Sequence, residues 1–221
     1  KSEGSYLAKH RRASNALDGS ADQRETLRVR KVRVLQAITG LGVGGAERTV
    51  LNLVNNLDPA EISSQIVSFT ADTQSFDVFG QPNVPHRVFD VRSKPQSIAR
   101  HLTEYSRLLT AVRPDIVHAH MFHALLITLG ASTLSPHKPA IVFTSHSAEL
   151  ARGRRSFVWA TRAARRADIV FYDGQHAALN AHRTVVIPNG VDVERAWQPR
   201  TPPSAGKPIE FLFVGRLAEP K

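Results

Sequence analysis

No cysteine occurs in the 221 residues, which removes disulfide frameworks, thiol nucleophiles and cysteine-based zinc or iron–sulfur sites together. No apolar run approaches the roughly 20 residues that a membrane-spanning helix needs, and the opening stretch KSEGSYLAKHRR lacks the apolar centre of a signal peptide. The chain is therefore read as soluble and cytoplasmic, at most peripheral on the inner face of a membrane. Acidic residues are scarce beside basic ones: 19 Asp and Glu stand against 29 Lys and Arg, a net charge of +10. The excess points to anionic partners, whether nucleic acid, acidic lipid or a phosphorylated small molecule. Nucleic acid is set aside, because no helix-turn-helix, zinc finger or aromatic-studded sheet accompanies the charge.

What is present suffices for a core, with 42% of the residues hydrophobic. Residues 1–27 are polar and without sustained period, and are expected to form a flexible tail. From RVRKVRVLQAIT onward, short β-branched runs alternate with helical stretches, the pattern of βα units on a parallel sheet with helices on both faces. Strands are expected at 32–38, 64–70, 86–91, 113–120, 139–147, 167–173 and 183–192. Helices are expected at 46–57, where Val50, Leu53, Val54 and Leu57 share a face, at 95–112, and around 153–167. The spacing thus predicts an α/β domain over 28–198, a Pro- and Ser-rich linker over 199–208, and the first strand of a second domain over 209–221. A parallel strand with no helix after it leaves its faces uncovered, so the chain is expected to be a piece of a longer protein. Asn189 and Gly190 are expected to turn through positive φ at the end of the last strand.

Gly40, Gly42 and Gly45 spell G-x-G-x-x-G after the first strand. One reading is a Rossmann-like dinucleotide oxidoreductase, but its ribose-binding acid should follow about 20 residues on, and the strand end offers only Asp72. The loop also lacks the Lys-Ser/Thr of a nucleotide triphosphatase. A second reading gives Gly44 and Gly45 no role beyond a tight strand-to-helix turn. A third sets phosphate or sugar at the helix N-terminus. Glu47, a carboxylate in the first helical turn, suits sugar or acceptor hydroxyls better than a bare pyrophosphate.

Two strands run out into histidine, at His120 and at His146. His118 is expected to face the layer opposite His120. A metal site from His120, His146 and His123 is set aside, because H-A-H-x-x-H fits no preferred ligand spacing. Arg152, Arg154, Arg155, Arg162, Arg165 and Arg166 interleave with Phe157, Val158 and Trp159 without any acid. This segment is either a solvated basic face or an interfacial helix for anionic lipid, docking through Arg154, Arg155, Trp159, Arg162 and Arg166.

The motifs GLGVGGAER, RPDIVHAH, TSHS, IPNGVD and VGRLAEPK, in this order across everything but the tail, resemble the GT-B fold glycosyltransferases, specifically the retaining family 4 group. The resemblance implies transfer of a sugar from a nucleoside diphosphate sugar to a glycan or lipid-linked acceptor hydroxyl, in polysaccharide or glycolipid synthesis, with no metal and no cofactor beyond the co-substrate. It places Gly44 and Gly45 at the inter-domain cleft with Glu47 beside them, makes His146 the active-site histidine near the transferred sugar, and sets His120 on the same cleft. Arg216 and Lys221 would neutralise the donor diphosphate, whose leaving group gains charge in the transition state. This chain would be mainly the acceptor-side domain, with little activity alone.

Overall fold

The structure, a computed structural model, describes residues 30–91, 94–146, 158, 162–172 and 183–190. The expected tail, the linker, the strand at 209–221 and most of the arginine segment lie outside the described residues. The chain divides into two compact units, Lys1–Asn189 and Gly190–Lys221, and every described residue except Gly190 belongs to the first.

In chain order the elements are β1 (Val32–Ile38), α1 (Gly45–Asn56), β2 (Ile62–Ser68), α2 (Ser75–Phe79), β3 (His86–Val88), α3 (Pro95–Val112), β4 (Ile116–His120), α4 (Phe122–Leu134), β5 (Ala140–Ser145), β6 (Ile169–Tyr172) and β7 (Thr184–Val186). The strands form one sheet in the order β3-β2-β1-β4-β5-β6-β7, and every pairing is parallel. The order reverses direction between β1 and β4, and the crevice outside the carboxyl ends at such a reversal is where open α/β sheets bind ligands.

Strand side chains alternate between faces, and the core divides accordingly. Leu35, Ala37, Val67 and Val117 point to one face, where they pack with Tyr105 and Leu109 of α3 and with Ala124 and Ala131 of α4. Farther along that face Phe143 and Val170 pack with Leu125, Ala163, Ala164 and Ala167. Ile38 and Ile66 point the other way, against Val50, Leu51 and Val54 of α1. Each large side chain so removed from water contributes about 1.5–3 kcal/mol.

α3 begins with Pro95 in its first turn and ends on Arg113 in the left-handed region (φ 49°), where the Arg113 N–H donates to the Leu109 carbonyl at 3.0 Å. Its bounds match expectation, because Pro at the start and a strong 3.6 period both mark them. α4 has no such stripe. FHALLITLGASTL is apolar nearly all round, so the amphipathic period that would announce a helix is absent.

Other bounds differ. β2 runs two residues earlier than expected, because Phe69 and Thr70 leave the ladder and donate to the Thr39 carbonyl at 3.1 and 2.8 Å. The turn-rich stretch before β3 contains the short helix α2, and β3 stops at Val88. Neither Asn189 nor Gly190 takes positive φ.

At the amino edge a pattern repeats. Asp115, just before β4, accepts the Arg33 amide at 2.8 Å, and Asp168, just before β6, accepts the Ile141 amide at 2.7 Å. Both sit in the same tripeptide, Asp-Ile-Val, and each stitches the start of its strand to a neighbour.

Candidate active site

The β1–α1 loop, the single-residue link after β4 and the exit from β5 meet at the carboxyl edge beside the reversal point. Gly40 and Gly42 hold the first of these against the loop after β2. A Cβ on Gly40 would run into the Thr70 hydroxyl, and one on Gly42 would lie 2.7 Å from Asp72 Oδ2. The Leu41 amide donates to the Asp72 carbonyl at 3.0 Å, and the Ser75 amide to the Leu41 carbonyl at 2.8 Å. Asp72, which a dinucleotide reading needs on a ribose, is drawn into this loop packing, and its carboxylate accepts the Gln74 amide at 3.2 Å.

Gly44 and Gly45 behave differently. Gly44 caps α1 in extended conformation (φ −166°) without any side-chain cap, and neither glycine is left-handed. The tight-turn reading of this pair therefore fails, since any residue adopts such backbone. A Cβ on Gly44 would meet Glu47 Oε2 at 2.5 Å, whereas one on Gly45 would meet nothing within 4 Å. Glu47 thus folds back over the N-terminus of its own helix, where the dipole favours a carboxylate, and Gly45 stands in the open at the helix mouth.

The histidines form a chain. His120, 1% exposed at the end of β4, has its Nε2 2.9 Å from Gln36 Oε1 on β1 and its Nδ1 3.0 Å from His146 Nε2. His118 Nε2 lies 2.7 Å from the Thr144 hydroxyl. The His118 and His120 ring centroids are 4.0 Å apart, so the expectation that His118 faces away is wrong. Alternation has period 2, which returns positions i and i+2 to the same face. Gln36 pairs in register with His118, and Thr144 with His120, so all these polar groups line one patch of sheet.

Removal from water holds His120 well below the ordinary imidazole range, and His118 and His146 beside it push the same way. Burial, and secondarily His146, lowers His118 to about 3. His118 and His120 are thereby held uncharged at neutral pH. They can orient hydroxyls and pass a hydrogen bond, but they do not supply the cations that a diphosphate wants.

Met121 makes the turn from β4 into α4 at φ 71°, ψ 154°, a region that is essentially glycine's. Its amide donates to the Thr144 carbonyl at 3.2 Å, so the strained residue clamps the ends of β4 and β5 where the two histidines meet.

Residues 43–195 match the family model described as Glycosyltransferase Family 4. The chain belongs to that family. No curated protein matches it by sequence. Among solved structures it is similar to HepE of Anabaena in complex with UDP-glucose, at 20% identity and TM-score 0.60, over 73% of this chain and 45% of that one. It is similar to sucrose-phosphate synthase of Thermosynechococcus elongatus, at 14% and TM-score 0.54, over 75% and 49%. MurG of Acinetobacter baumannii gives 13% and TM-score 0.53, over 77% and 50%. The GT-B fold is thereby shown, and this family 4 chain spans about half the length of these neighbours. Nothing in them supports the dinucleotide oxidoreductase reading.

Of the residues picked out in the sequence, His120 and His146 meet directly, and Gly44, Gly45 and Glu47 stand on the same edge of the sheet. Arg216, Lys221, Arg154, Arg155 and Trp159 lie outside the described residues. Arg162 and Arg166 are exposed, while Ala163, Ala164 and Ala167 between and beside them are buried. Among the described residues no group of three His, Asp or Glu converges as for a metal, and no helix is long and apolar enough to cross a membrane. Gln36 and Thr144 were missed. The signal for Gln36 was there, as the one amide inside the strand VRVLQAI.

Proposed function

We propose that this chain is the acceptor-side part of a retaining transferase that moves a sugar from a nucleoside diphosphate sugar to a glycan or lipid-linked hydroxyl. The observation that carries the reading is the contact between the buried His120 and the half-buried His146 at the reversal point of a family 4 chain. HepE is described with UDP-glucose bound, which favours a uridine nucleotide as the first donor to try.

In this reading His146 lies beside the transferred sugar and hydrogen-bonds one of its hydroxyls, and His120 holds His146 from behind. The open N-terminus of α1 at Gly44 and Gly45 faces the donor phosphates or the acceptor, with Glu47 taking a hydroxyl. Arg216 and Lys221 stabilise the diphosphate as it leaves. Arg154, Arg155, Trp159, Arg162 and Arg166 rest on anionic lipid at the inner face of the membrane, near a lipid-linked acceptor. No metal or further cofactor takes part, and the chain alone turns over little.

The test is transfer by the full-length enzyme from a panel of nucleoside diphosphate sugars, with the product anomer read by NMR. Turnover of about 1 per second or faster with retained configuration is expected from one donor. An inverted product would end the retaining reading, and no transfer from any donor would end the whole. For the membrane, vesicles with acidic lipid should retain the protein at low salt and release it at high salt.

A further inference from the structure

Met121 is the whole of the link between β4 and α4, and it makes that turn at φ 71°, ψ 154°. Glycine adopts such backbone without steric cost, and residues with a Cβ do not. What methionine adds over glycine is its side chain, so the place of that side chain is what the strain holds. The backbone that carries it is clamped at both ends. Its amide donates to the Thr144 carbonyl at 3.2 Å, two residues before His146, and its carbonyl accepts the Leu125 amide at 3.2 Å in the first turn of α4.

The side chain is half-buried and packs against the cluster built on Ile38, Leu41, Val50 and Val54, which seats α1 on the sheet. The other partly buried groups on this cluster among the described residues, Phe76, Phe79 and Val84, all come from between β2 and β3. Backbone hydrogen bonds tie Leu41 to the same flank, through the Asp72 carbonyl at 3.0 Å and the Ser75 amide at 2.8 Å. Among the described residues, the brace from the β4 flank, where His120 and His146 meet, is Met121. We infer that Met121 is a positioning residue: its side chain sets the place of the α1 N-terminus, at Gly44 and Gly45, relative to the two histidines. The consequence for turnover rests on the transfer reading; the spacing itself is a property of the fold. An unbranched side chain in an irregular gap is also what plain packing looks like, so the test separates placement from stability.

The geometric readout is the amide NMR spectrum of the full chain, wild type against Met121→Gly and against Val54→Ala, which trims the same cluster farther along α1. Met121→Gly should move the Gly44 and Gly45 signals more than those of Asn55 and Asn56 at the other end of α1, and Val54→Ala should do the opposite. Gly44 and Gly45 signals that stay in place in Met121→Gly overturn the inference. Should Met121→Gly not fold, Met121→Ala, which trims the same side chain and keeps the strained turn, is read with the same two outcomes. Loss of the fold in both overturns it, because the side chain would then hold the whole domain instead of placing one helix. In the full-length enzyme Met121→Gly should lower kcat about tenfold or more with little change in KM for the donor, since small misplacements of reacting groups cost this much. Val54→Ala should lower the denaturation midpoint and leave kcat alone, and Met121→Leu, which restores the volume, should recover most of the lost kcat. An unchanged kcat in Met121→Gly, or a Met121→Leu as slow as Met121→Gly, overturns the role in turnover. Gly44 and Gly45 signals that move as expected in an enzyme that transfers no sugar would sink the transfer reading and leave the placement standing.

Discussion

The two edges of this one sheet solve the same problem with opposite chemistry. At the amino edge, Asp115 takes the Arg30 guanidinium in a fork of 2.7 and 3.1 Å and the Arg33 amide at 2.8 Å, holding its carboxyl down at about 2. Asp168 repeats the strand-start bond on β5. These groups, with Arg30 and Asp168 exposed and Asp115 half-buried, are charged and devoted to pinning strands together. At the carboxyl edge Gln36, His118, His120 and Thr144 are buried or half-buried and neutral, and the turn through Met121 stores strain instead of relieving it. Formal charge is cheap where water screens it and costly where water is excluded, so the stitching sits at the wet edge. Strain and desolvated imidazoles are tolerated where something other than stability is being held in place.

The contrast is broken most sharply by exchanging the readouts. His146→Ala in the full-length enzyme should cost about a hundredfold or more in kcat and leave the denaturation midpoint nearly unmoved; a large stability loss with kcat intact would make the carboxyl edge structural after all. Asp115→Ala should do the reverse. It strips an acceptor from the Arg33 amide and costs about 1 kcal/mol in urea unfolding, with kcat unaltered.

Acid separates the edges next. His118 is about 3 in the fold against 6.5 unfolded, so below 6.5 the unfolded chain binds the proton first and stability falls until about pH 3. Asp115 is about 2 in the fold against 3.8, and its contribution is lost in that lower window. Unfolding followed against pH should therefore show His118→Asn flattening the upper part of the decline and Asp115→Asn the lower part. If the two variants gave the same profile, the edges would not differ as described.

The smallest effect on stability is expected at Met121. Met121→Gly relieves backbone strain of about 1–3 kcal/mol, but it loses packing against the cluster of Ile38, Leu41 and Val50 and adds freedom to the unfolded chain. The net change in stability should stay within about 1 kcal/mol of zero, far from the 2–5 kcal/mol of an ordinary core truncation such as Leu109→Ala. A loss of that larger size would mean that the turn is unstrained and the side chain is what matters.

Much of this was written locally. The 3.6 period and Pro95 fixed α3 to the residue, and β-branched runs separated by helical spacing announced a parallel sheet before any pairing was seen. The five ordered motifs carried the family. Local pattern also explains what was lost: α4 is apolar on all sides and so has no stripe to read, and Phe69 and Thr70 look like strand but are claimed by the Thr39 carbonyl of another loop. The glycines show the limit most clearly. In the sequence Gly40, Gly42 and Gly45 form one motif, whereas in the fold the first two fill a loop-to-loop contact and the third stands open.

The sequence by itself determined the class of fold, the positions of most elements and the presence of His120 and His146 at strand ends, because those depend on period, propensity and order along the chain. Only the tertiary structure decided that Gln36, 84 residues from His120, closes the chain of hydrogen bonds. It also decided that His118 shares the face of His120, and that Asp115 and Asp168 serve as paired stitches. Parallel pairing joins residues far apart in sequence, and which atom meets which is set by register and burial, quantities that no local window contains.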